Sequence, residues 1–102
     1  MRLQPVVSLE AHADVLHAAA YYEAQRSGFG YEFLDEFERA TALIREAPLL
    51  STLVELSVRR VLMRRFPYGV FFLPGSDVVA DVVLAVVDLH QDPEVIRRAY
   101  LR

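Results

Sequence analysis

The hydrophobic pattern is mainly helical up to Pro48 and mainly strand-like beyond it, with a short helix at the end. Ser8 reads as a helix N-cap and Glu10 as a dipole-compensating first-turn acid, although Ala11 at the third following position leaves the capping box incomplete. From Leu9 to Gln25 the chain is Ala-rich without Gly or Pro, and Val15, Ala18/Ala19 and Tyr22 form a helical stripe. Ser27-Gly28-Phe29-Gly30 interrupts it, and a second helix is predicted from near Tyr31. There Phe33, Phe37, Ala40, Ile44 and Ala47 recur at spacings of 4, 3, 4 and 3, until Pro48 ends the run. Two helices joined by a short Gly turn predict an antiparallel hairpin. Beyond it the period becomes two. Val58–Phe66, Gly69–Leu73 and Val78–Leu89 are predicted strands, the last apolar on both faces as a central strand would be. Phe66-Pro67-Tyr68-Gly69 and Pro74-Gly75-Ser76-Asp77 separate them. Leu3–Val7 is a candidate first strand. Asp92 as N-cap with Pro93 at the first helical position opens a short last helix that packs through Val95, Ile96, Ala99 and Tyr100. The expected fold is α+β: an N-terminal strand and a helical hairpin on a mostly antiparallel sheet of three to four strands, with a short C-terminal helix, all in one domain over residues 1–102.

Composition narrows what such a domain can do. The chain has 102 residues, 54% of them hydrophobic, and a net charge of −3. All 11 basic residues are Arg, and Cys is absent, which excludes disulfides and thiolate metal sites. No cofactor and no metal are expected, because the His residues lack ligand spacing: His12 and His17 lie five apart on a predicted helix. The most apolar run holds Asp81 and Asp88 and is too short to span a bilayer, so a cytoplasmic protein with no membrane partner is expected. The charge is divided. Residues 1–57 carry four Arg against nine acids, a net of −5, and residues 58–102 carry seven Arg against five acids, a net of +2. With that overall balance, direct DNA binding is not expected.

Three groups of residues carry candidate chemistry. Arg59, Arg60, Arg64 and Arg65 fall within seven positions, and guanidinium forks suit phosphates and carboxylates. The plainer reading is a solvated strand paired with the acidic helices. Asp88, His90, Asp92, Arg97, Arg98 and Tyr100 form a C-terminal set. Imidazole, Arg and Tyr together could activate a ribose hydroxyl and stabilise a phosphorane, but Asp92 is adequately explained as a cap and Tyr100 as packing, and the plainer reading is favoured. Tyr21-Tyr22-Glu23 offers a contact patch, or one packed Tyr beside one exposed Tyr.

Tyr21-Tyr22-Glu23-x-Gln25, Gly28-x-Gly30, Glu32-Phe33-Leu34, Arg59-Arg60, Arg65-Phe66-Pro67-Tyr68, Leu84-Ala85-Val86 and Asp92-Pro93, in this order, resemble the RelE/ParE superfamily of toxins from type II toxin–antitoxin systems, and its ParE branch in particular. The resemblance implies a growth-inhibiting, plasmid-stabilising toxin neutralised by a cognate antitoxin in a hetero-oligomeric complex. ParE-like toxins inhibit DNA gyrase by binding it. RelE-like toxins are ribosome-dependent mRNA endonucleases, and a third option is an inactive relative that only binds antitoxin. For the nuclease reading the candidate residues are Arg60, Arg64, His90 and Tyr100. For antitoxin or target binding they are Arg59, Arg60, Arg64, Arg65, Tyr21, Tyr22, Arg97 and Arg98. Where many relatives carry His and Arg around the last strand, this chain has Asp88 and Gln91, and it has no Lys. The balance therefore leans from enzyme toward binding protein.

Overall fold

In the computed structural model, which describes residues 2–102, the chain runs through β1 (Val6–Val7), α1 (Leu9–Gln25) and α2 (Phe29–Glu46), then a single 3-10 turn at Pro48–Leu50. It continues through β2 (Thr52–Glu55), β3 (Val58–Leu62), β4 (Tyr68–Leu73), β5 (Val82–Asp88) and α3 (Pro93–Leu101). The strands form one sheet in the order β1-β5-β4-β3-β2, with β1 parallel to β5 and every other pair antiparallel.

Alternation along the strands divides the interior into two apolar cores. Val70, Phe72, Val83 and Val86 face the hairpin, where they meet Ala11, Val15, Ala18, Phe33, Ala40 and Ile44. Phe71, Ala85, Val87 and Val58 face α3, where Phe71 stacks on Tyr100 with ring centroids 5.0 Å apart. A strand between two helical layers must be apolar on both sides, which is why β4 and β5 read as unbroken hydrophobic runs. The caps behave as the residue types require. Ser8 accepts from Ala11 N–H at 3.1 Å, so Ala at the third position still supplies its backbone donor. Asp92 accepts from Glu94 N–H at 2.9 Å ahead of Pro93.

The α+β plan agrees with the sequence reading, with corrections at five places. The sheet has five strands rather than three to four, because Thr52–Glu55 pairs with β3. Its hairpin turn carries Leu56 at φ 50, with no Gly or Asn to announce it. β3 stops at Leu62, short of Phe66. Arg65 takes φ 66, Met63 N–H bonds Tyr68 C=O, and the chain curls into β4, which starts at Tyr68 rather than Gly69. β5 spans Val82–Asp88 rather than Val78–Leu89. Val78 and Val79 are exposed in a loop whose N–H groups bond the Ser76 hydroxyl, and Asp81 is buried behind it, accepting from Gly75 N–H at 2.7 Å and pairing with Arg2 at 2.5 Å. β1 is only Val6–Val7 of the expected Leu3–Val7. Finally, α2 begins at Phe29, so Gly30 is a buried residue inside the helix. A Cβ there would lie 2.6 Å from Ala19 C=O, so α1 and α2 pack closely at Gly30.

Candidate functional site

Glu23, in the last turn of α1, explains how the hairpin closes. Its carboxylate accepts from Gly28 N–H at 3.0 Å and from Gly30 N–H at 3.0 Å. It therefore caps α2, whose N-cap residue Gly28 has no side chain to do so. Tyr22, beside it, enters an aromatic cluster with Phe29, Phe33, Phe66 and Tyr68, at centroid distances of 4.8–6.1 Å. Tyr21 stays 60% exposed. One packed and one exposed Tyr is the plainer of the two expected arrangements.

The four clustered Arg residues do not share a face. Arg59 is half-buried on β3 and donates to Ser51 C=O at 2.8 Å, tying the 3-10 turn to the sheet. Arg60 is half-buried with its Nε unpartnered among the described residues. Arg64 and Arg65 lie in the turn after β3 rather than on a strand. Arg65 pairs with Glu32, which Arg26 also reaches at 2.9 Å. The bond from Arg65, outweighing burial, holds the Glu32 carboxyl below 4.5. Arg64 is exposed and makes no ion pair among the described residues.

The C-terminal set is divided as well. Arg97 donates to Glu55 at 2.8 Å and the Tyr100 hydroxyl donates to the same carboxylate at 2.5 Å, latching α3 to the edge strand β2. Burial and the bond to Glu55 push Tyr100 up to about 12, so the phenol keeps its proton at neutral pH. Arg60 and Tyr100 line one cavity of about 330 Å³ on the α3 side. His90 sits outside it, its ring 3.2 Å from Asp88, and opens onto the hollow formed by Tyr21, Tyr22 and Tyr68. Arg98 is exposed. Of the four nuclease candidates, only Arg60 and Tyr100 are brought together, and Tyr100 is already engaged.

The Glu55 latch makes a prediction with a definite sign. The bonds from Arg97 and Tyr100 hold Glu55 below its ordinary 4.5, and Glu32 is lowered likewise. A carboxylate lowered on folding stabilises the fold above its unfolded value, and that contribution is lost as pH falls through the lower folded value. The urea midpoint is expected to drop on acidification from about pH 5 to pH 2. In the double variant Glu32→Gln/Glu55→Gln the drop should be shallower. An unchanged slope would show that neither pair contributes.

The residues missed by pattern reading surround β5. β1 pairs with Val82 and Val83, and among the described residues no strand continues along that edge of β5. Asp14 of α1 reaches it and accepts from Val86 N–H at 3.0 Å. A cavity of about 430 Å³ follows this edge between α1 and α3, with Tyr21, Tyr68 and Asp88 in its wall. The available signal was the spacing of Asp14, Ala18, Tyr21 and Gln25 along one stripe of α1.

No family model matches the chain, and no curated protein matches it. Among solved structures it is similar to a chain of one described as "Chromosomal ParDE TA system from P. aeruginosa". The TM-score is 0.71 at 11% identity, over 84% of this chain and 95% of that one. The two share a fold that takes in nearly the whole of the Pseudomonas chain.

Proposed function

We propose that this chain is the toxin of a toxin–antitoxin pair, that it acts by binding DNA gyrase rather than by cutting RNA, and that a small cognate antitoxin neutralises it. The observation that carries the reading is the shared fold with a chain of a ParDE system, at a TM-score of 0.71 over 95% of that chain. The ordered sequence signatures point the same way, independently of the fold. Binding is favoured over RNA cleavage by the state of the candidate catalytic groups. Tyr100 and Arg97 are both spent on Glu55, and His90 lies apart from them. General acid–base cleavage needs its groups within hydrogen-bond reach of one reacting centre.

Induction from a tight promoter in a bacterial host tests the pair. Colony counts should fall on induction and recover when the product of the neighbouring open reading frame is co-expressed. Primer extension on translated mRNA separates the two toxin mechanisms. No new 5′ ends are expected, and their appearance would replace the gyrase reading with ribosome-dependent cleavage. Undiminished growth, with tight binding to the neighbour's product, would leave an inactive antitoxin-binding relative.

A further inference from the structure

The groove beside β5 already holds a cation of the chain's own. Arg102 donates to Asp14 Oδ2 at 2.7 Å and lies 3.5 Å from Leu84 C=O, with its side chain 34% exposed. Asp14 simultaneously holds Val86 N–H, so one carboxylate closes the strand edge and binds the guanidinium. The main chain of β5 is directed the same way. Val86 N–H points at Asp14 and Tyr68 C=O accepts from Met63 N–H, so antiparallel alternation leaves Val86 C=O and Asp88 N–H on the groove side rather than toward β4, while Asp88 C=O accepts from Gln91 N–H at 3.2 Å. A second carboxylate, Asp88, stands further along the same wall, where the hollow continues past Tyr68 to His90. Burial, then the neighbouring Tyr22, then Asp88 push Tyr68 up to about 12, and Asp14 adds to the effect.

We propose that this groove is a docking site for an extended peptide segment of a partner that carries an arginine, and that Arg102 occupies the arginine position until such a segment displaces it. The carboxylates of Asp14 and Asp88 select the cation, and the Val86 C=O and Asp88 N–H are placed to bond an extended main chain. The exposed Tyr21 and the Tyr68 ring supply flat walls along which a guanidinium stem can lie. The inference concerns the groove's own chemistry and does not depend on the toxin reading.

The test uses the full chain and a fluorescein-labelled peptide, Gly-Val-Arg-Val-Gly, followed by anisotropy at low salt. Arg102→Gln empties the slot and should tighten binding, by about tenfold if one charge-assisted hydrogen bond is freed for the ligand. Asp14→Asn keeps an oxygen for Val86 N–H but removes the charge, and should weaken binding by a similar factor. Glu38→Gln on α2 changes the net charge equally and should leave binding unchanged, as should a peptide with Glu in place of Arg remain unbound. Because the Arg102→Gln result is a gain, misfolding cannot produce it. Equal binding by Arg102→Gln and the parent chain, or equal losses in Asp14→Asn and Glu38→Gln, would overturn the proposal.

Discussion

Phe33→Ala is expected to cost about 3–5 kcal/mol of unfolding free energy, the range for removing a fully buried aromatic side chain. Phe33 has no exposed surface. It lies 5.7 Å from Tyr22, 5.1 Å from Phe66 and 5.0 Å from Tyr68, centroid to centroid, so its ring joins α1, α2 and the turn into β4. Each such pair adds roughly 0.5–1.5 kcal/mol beyond area burial. Domains of this size are stable by about 5–15 kcal/mol, so the variant should be marginal or unfolded at 37 °C. Urea unfolding followed by circular dichroism measures it. A loss under about 1.5 kcal/mol would mean that the cluster is not the keystone of the hairpin core.

Gly30→Val should be comparably severe, for the opposite physical reason. Helix propensity alone would favour a side chain over Gly by up to about 1 kcal/mol. The packing opposes it, because the first atom added meets Ala19 C=O at 2.6 Å and the Glu23 side chain at 3.1 Å. The clash is with backbone, so α1 and α2 must separate, and Glu23 loses its hold on two N–H groups. A cost of about 3 kcal/mol is expected, at the upper end for overpacking. Gly28→Ala is the control. Its φ of 88 disfavours a side chain, but a Cβ there meets nothing within 4 Å, so only about 1–2 kcal/mol should be lost. If Gly30→Val were the milder of the two, the close approach of the helices would not be what positions them.

These two glycines also show where pattern reading succeeds and fails. Local sequence announces that the chain breaks near residues 27–30. Only the approach of α1 reveals that Gly28 turns the chain while Gly30 belongs to the helix. The stripe from Phe33 to Ala47 is readable because its five positions repeat over about four turns against a single core. β2 was not readable. It is a four-residue edge strand closed by Leu56 at φ 50, and its pairing with β3 supplies what its sequence does not. The same limit applied to the candidate sites. Sequence proximity grouped the four Arg residues, but a strand sends successive side chains to opposite faces, and a turn removes Arg64 and Arg65 from the strand. Conversely, Asp14, Asp88 and Arg102 come from separate elements and line one hollow because β5 runs beside both α1 and α3.

The divided charge has a physical counterpart in the fold. Acids of the first half hold cations of the second: Glu32 pairs with Arg65, Glu55 with Arg97 and Asp14 with Arg102. The seven Arg of the second half are thus partly neutralised from within, and the surface left for an acidic partner is smaller than composition implies. Such exposed pairs contribute little individually to stability. Their larger effect is on which charges remain free to meet a partner.

The function proposed above turns on inhibition of DNA gyrase by binding. Its most direct test is the supercoiling of relaxed plasmid by purified DNA gyrase and ATP, with the protein titrated in alone and after mixing with the product of the neighbouring open reading frame. Supercoiling is expected to fall with increasing protein and to be restored by that product. Normal supercoiling at saturating protein would contradict it.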